Sequence, residues 1–211
     1  MEINILYTKF ERFWHWTQMA LVVILLITGF EIHGNIQLFG FDFAVRLHNT
    51  SAWAFIGLTA LTIFWMFAVG HWRNYMPTRK NFREQIRYYT SGILKNEPSP
   101  HADKTFDNKF NPLQRIVYLG LIILAFPAQI ITGLLYMYFR YPGNPIDGTM
   151  LRNVAITHTV IAFLVIVFLI IHLYMTTTGK KVTTHVKEMI TGVSDHAITE
   201  KQELTQQISD K

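Results

Sequence analysis

Four stretches of the chain run for the length of a helix without a single Lys, Arg, Asp or Glu. Between Arg12 and Glu31 lie 18 such residues, between Arg46 and Arg73 26, between Arg115 and Arg140 24, and between Arg152 and Lys180 27. A helix rises about 1.5 Å per residue, so roughly 17–25 residues cross the hydrocarbon core of a bilayer. Lipid leaves a single segment no way to satisfy its backbone except as a helix. The pattern therefore predicts an all-α, integral membrane four-helix bundle, with spans near Phe13 to Ile32, Ser51 to Val69, Leu113 to Tyr138 and Val154 to Thr176. Between the second and third spans, Phe82, Ile86, Tyr89 and Ile93 fall at helical spacing beside Arg83 and Arg87, which predicts a helix lying on the membrane surface until Pro98 and Pro100 break it. Thr183 to Ile190 predicts a second short interfacial helix. One transmembrane domain, residues 1–192, is expected, followed by a polar, mobile tail over 193–211. No internal repeat, low-complexity segment or separate soluble domain is evident.

Composition agrees, since 50% hydrophobic residues with 16% charged is too apolar for an ordinary soluble domain. Charge adds the orientation. Of 19 Lys and Arg residues, 16 fall in the N-terminal segment, the 73–115 stretch and the tail, and only Arg46, Arg140 and Arg152 fall elsewhere. Because basic residues are retained inside, both termini are expected in the cytoplasm. The net charge of +5 is then a topological signature, and no nucleic-acid partner is expected. The first span lacks a small-residue cleavage site and is read as retained rather than as a signal peptide. Zero cysteines exclude disulfides, thiolate zinc, iron–sulfur clusters and covalently attached haem.

Four of the nine histidines, His15, His48, His158 and His172, stand near the ends of three of these apolar stretches. An imidazole in hydrocarbon is costly unless ligated or bonded. Fourteen residues separate His158 from His172, which places them about 40° apart around one helix and about 21 Å apart along it. With the N-terminus inside, His158 lies at the outer depth together with His48, and His172 at the inner depth together with His15. Two neutral imidazoles facing each other across a porphyrin make a low-spin b-type haem site, so the spacing implies two haem irons: His15 with His172, inner, and His48 with His158, outer. Gly29, fourteen residues after His15, could leave room for the outer porphyrin. His33 and His71 at helix ends, and His101, His185 and His196 in polar segments, are expected to be interfacial or solvated.

Phe10-Glu11-Arg12-Phe13-Trp14-His15-Trp16, Leu47-His48-Asn49, Asn111-Pro112-Leu113-Gln114-Arg115 and the His158/His172 pair resemble the diheme cytochrome b subunits of formate dehydrogenases, nickel-iron hydrogenases and thiosulfate reductases, over the chain to about Gly192. The resemblance implies a subunit of the bacterial inner membrane in which the outer haem exchanges electrons with a periplasmic partner and the inner one with menaquinone or ubiquinone. It places the quinone beside the His172 haem, near Asn111 and Gln114, whose side chains can bond a carbonyl; Asn111 before Pro112 also fits a helix N-cap. Haem propionates need cations, for which Arg12 inside and Arg46 or Arg152 outside are candidates, although each also suits simple anchoring.

The expected outer connections, Gly34 to Thr50 and Arg140 to Asn153, are too short for a catalytic domain, and no nucleophile set, phosphate loop or dinucleotide fingerprint is present. A non-catalytic subunit is therefore expected, serving an oxidoreductase complex of the respiratory chain through an iron–sulfur or multihaem cytochrome partner docked near Tyr141-Pro142-Gly143-Asn144-Pro145. A higher oligomer would arise through that complex. The competing reading is a histidine-lined ion or metal transporter, but transport sites gather polar groups near the midplane, often with acids, and none of the four gaps contains an acid.

Overall fold

The four apolar stretches form four long helices in the computed structural model: Lys9–Ile32, Phe41–Val69, Pro112–Phe139 and Gly148–Thr176, each long and apolar enough to cross a membrane. The structure describes residues 5–95, 97–101, 104–139, 147–179 and 181–194. Arg140, His196 and the Tyr141–Pro145 turn lie outside the described residues, as does all of the expected tail beyond Ser194. Among the described residues there is no β-strand, only isolated bridges.

The second helix begins at Phe41, ten residues before the expected Ser51. The uncharged gap misplaces this boundary because a helix can carry Asp42 and Arg46 on an exposed face. Glu31 fixes the turn that precedes it: its Oε1 accepts the backbone N–H groups of Leu38, Phe39 and Gly40 at 3.0, 2.7 and 2.7 Å. Gly40 then takes a left-handed φ of 85°, and its carbonyl receives the Ala44 N–H. His48 and Arg46 consequently sit inside the helix rather than at its threshold. The fourth helix likewise starts at Gly148 instead of Val154.

One compact unit comprises Trp14–Val69 and Gly120–Leu169, the central portions of the long helices. Buried Phe55 packs edge-on against Phe126, with ring centroids 5.3 Å apart, and Phe30 meets the exposed Phe163 at 6.1 Å. Large apolar side chains point outward, Phe64 being 72% and Leu124 71% exposed, as a lipid-facing surface requires. The third helix widens to a π turn over Leu121–Ala125, just ahead of Pro127. Proline has no N–H to donate and its ring crowds the carbonyl four residues back, which loosens the turn before it.

The other unit comprises Met1–Phe13, Gly70–Leu119 and Ile170–Lys211. Thr8 and Glu11 form a capping box for the first helix: the Thr8 N–H donates to Glu11 Oε2 at 2.8 Å, and the Glu11 N–H to Thr8 Oγ1 at 3.2 Å. The other Glu11 oxygen receives Lys109 Nζ at 2.7 Å, and His71 Nδ1 lies 3.4 Å from it. Lys109 is only 1% exposed and lies over the Phe106 and Tyr7 rings. His71, just beyond the end of the second helix, is buried beside Glu11.

The expected surface helix is present as an α turn over Phe82–Arg87, a π turn over Tyr88–Gly92 and a 3-10 turn over Ile93–Lys95. The second forms over Thr184–Thr191 and ends in Gly192, with φ 82°, whose carbonyl accepts the Leu6 and Tyr7 N–H groups. His185 is not simply solvated, because its Nδ1 lies 3.0 Å from Glu188, which Lys104 also meets at 3.0 Å. Burial works against the Glu188 carboxylate, but the bonds from His185 and Lys104 outweigh it and bring its pKa down to about 2.

Candidate functional site

Two of the expected ligands face each other. The His48 and His158 rings, on the second and fourth helices, have centroids 6.5 Å apart at an interplanar angle of 67°. Each imidazole has its Nδ1 bonded to a threonine. Thr28 Oγ1 is 2.9 Å from His48 Nδ1, and Thr132 Oγ1 is 3.0 Å from His158 Nδ1. Each hydroxyl in turn donates to the carbonyl four residues back, Thr28 to Ile24 and Thr132 to Ala128, both at 2.7 Å. Gln129 Nε2 stands 3.0 Å from His158 Nε2. Glycines adjoin both rings: a Cβ on Gly29 would lie 3.8 Å from His48 Cε1, and one on Gly133 3.1 Å from His158 Cε1. Gly29 therefore faces the histidine itself.

His15, on the first helix, belongs to the unit that holds this pair, whereas His172, near the end of the fourth helix, belongs to the other. Their pairing rests on the depths read from the sequence. His172 has Tyr118 beside it, with ring centroids 6.5 Å apart. Asn111 and Gln114 bond each other reciprocally: the Gln114 N–H donates to Asn111 Oδ1 at 2.9 Å and the Asn111 N–H to Gln114 Oε1 at 3.0 Å, so Asn111 is the N-cap of the third helix. Its amide also donates to the Tyr89 hydroxyl at 2.7 Å. Burial drives the Tyr89 pKa upward and the bond from the Asn111 amide opposes it, leaving it at about 12, so this phenol remains protonated at neutral pH.

Two comparisons decide the family. The profile described as prokaryotic cytochrome b561 matches residues 6–192. The chain is also 31% identical over 197 residues, 90% of its own length and 74% of the relative's, to a protein of Escherichia coli (strain K12) named "Putative cytochrome YdhU". The chain belongs to the prokaryotic cytochrome b561 family. No solved structure matches it.

A prokaryotic cytochrome b561 is a multi-pass bacterial membrane protein that transfers electrons through haem b, and the donor set here suits that group. Two imidazole donors face each other, each held by a threonine, with no thiolate anywhere in the chain to compete. His48 and His158 would hold the haem iron, which would supply a one-electron couple, and the Gln129 amide would give up His158 Nε2. The arginines considered for propionates differ in their surroundings. Arg46 and Arg152 are exposed on the second and fourth helices. Arg12 Nη1 donates to the Ile190 carbonyl at 2.5 Å, which satisfies the end of the Thr184–Thr191 helix. Sequence reasoning missed Thr28, Thr132, Gln129 and Gly133; the tripeptide Ile-Thr-Gly stands at Ile27–Gly29 and Ile131–Gly133, but it also stands at Ile190–Gly192, at the end of the Thr184–Thr191 helix, so it gave no specific signal.

Proposed function

We propose that this cytochrome carries two bis-histidine b-type haems and serves as the inner-membrane subunit through which a periplasmic iron–sulfur or multihaem partner exchanges electrons with the quinone pool. The observation that carries this reading is the facing pair His48 and His158, each with its Nδ1 bonded to a threonine. Bound, each haem supplies a one-electron iron couple. His48 and His158 hold the outer group, with Arg46 and Arg152 available to its propionates. His15 and His172 hold the inner one, with Arg12 as its cation.

The quinone reading gains support from the polar set around Asn111. The Asn111 amide donates to the Tyr89 phenol, the Gln85 side chain is buried in the same unit, and Tyr118 of that unit stands beside His172. A protonated phenol and amide donors are what a quinone carbonyl needs for binding and orientation. Gln114, held by the cap, positions Asn111 and would meet the quinone only if that bond opened.

The test is a reduced-minus-oxidised spectrum of the purified protein with haem quantified per chain. Two b-type haems per chain are expected. Replacing His172 with Ala should remove one of them together with quinol-driven reduction and spare the other, while His48→Ala should remove only the outer haem. A protein without a b-type band, or with one haem per chain, would sink the proposal.

A further inference from the structure

The two outer histidines are served by the same device, built twice. On the first helix Thr28 bonds His48 Nδ1 and Gly29 faces His48 Cε1; on the third, Thr132 bonds His158 Nδ1 and Gly133 faces His158 Cε1. In each case a Thr-Gly step on one helix serves a histidine on the next, 20 and 26 residues further along. Thr28 is fully buried.

The hydrogen-bond directions follow from counting protons. A threonine hydroxyl has one, and both are committed to the carbonyl four residues back at 2.7 Å. The oxygen can then only accept from the imidazole, so Nδ1 carries the ring proton and Nε2 keeps its lone pair. This is the tautomer that ligates iron through Nε2. The partner is a neutral hydroxyl rather than a carboxylate, so it orients the ring while lending it little imidazolate character.

Deepening the two-haem reading, on which it rests, we propose that Thr28 and Thr132 are paired positioning residues that preset His48 and His158 as Nε2 ligands and set the potential of the outer haem, with Gly29 and Gly133 as the seats for the rings. Removing an acceptor weakens the imidazole as a donor to iron(III), so it raises the midpoint potential of the outer haem and leaves the inner haem unchanged. An effect of packing alone would follow loss of the methyl rather than loss of the hydroxyl.

The experiment is a redox titration of the full-length protein in detergent, following the two haems separately, on wild type and on the Thr28→Val, Thr132→Val, Thr28→Ser and Thr132→Ser variants. The Val variants keep the shape and lose the acceptor, and an upward shift of the outer midpoint, or selective loss of the outer haem, is expected. The Ser variants keep the acceptor and lose a methyl, and the wild-type potential is expected. Unchanged outer potential and haem content in both Val variants would overturn the proposal. Should a Val variant fail to accumulate, its Ser counterpart decides: a potential moved from wild type shows that the methyl packing matters rather than the hydroxyl. Failure of the two-haem reading is recognised separately, by wild-type protein with fewer than two haems or by a His48→Ala variant that retains both, and this inference then falls with it.

Discussion

Gly133 shows how little spare space surrounds the outer pair. A methyl there would lie 3.1 Å from His158 Cε1 and 3.6 Å from Nδ1, so the ring must move by tenths of an ångström away from Thr132. At Gly29 the corresponding contact is an ordinary 3.8 Å. Gly133→Ala is therefore expected to cost about 1–3 kcal/mol of overpacking, while Gly29→Ala is expected to be close to neutral. The check is the thermal release of the proposed outer haem, followed by loss of its absorption band. Equal sensitivity of the two variants would contradict the geometry. The histidines themselves were legible in the sequence, because imidazoles in uncharged stretches demand a partner. Their threonines were not, since a threonine bonding the carbonyl four residues back is common in membrane helices and carries no message alone. The recurrence of Ile-Thr-Gly did not distinguish them either, because the same tripeptide stands at Ile190–Gly192.

At the scale of elements, apolar length made the four spans readable, and the errors fell where charge misled. Taking Arg46 as a boundary shortened the second helix by the ten residues from Phe41 to Thr50, whereas the structure simply carries that charge on an exposed face. The joint between the first helix and the 70–119 segment was not legible either, because Glu11 and Lys109 are 98 residues apart in sequence. The two are buried together, and breaking such a pair by removing one partner costs about 3–5 kcal/mol. Lys109→Met should therefore destabilise the protein by that order, since it strands the Glu11 carboxylate and also removes the cation over the Phe106 and Tyr7 rings. Glu11→Gln keeps an N-capping side chain and strands the lysine instead. The double variant should cost clearly less than the sum, as judged from the thermal unfolding of the four proteins in one detergent. Strict additivity would show that the contact contributes no coupling.

For the whole molecule, the side of the membrane on which each proposed redox partner meets the chain depends on the distribution of 19 basic residues more than on any single contact. Sixteen of them precede the first apolar stretch, lie between the second and third, or follow the fourth, and all three regions share a side if there are four crossings. His48 stands seven residues into the second helix and His158 ten residues into the fourth, so both approach the side opposite those charges. The segment bearing Tyr89 and Asn111 belongs to the basic side. Alkaline phosphatase, which folds only after export, should therefore be active when fused in the 34–39 connection and inactive when fused near residue 96 or after Ser194. The reverse pattern would turn the protein over, placing the His48–His158 pair towards the cytoplasm and the Asn111 region towards the periplasm. The positions of the proposed electron partner and quinone would then have to be exchanged, even though every helix and ligand stayed where it is.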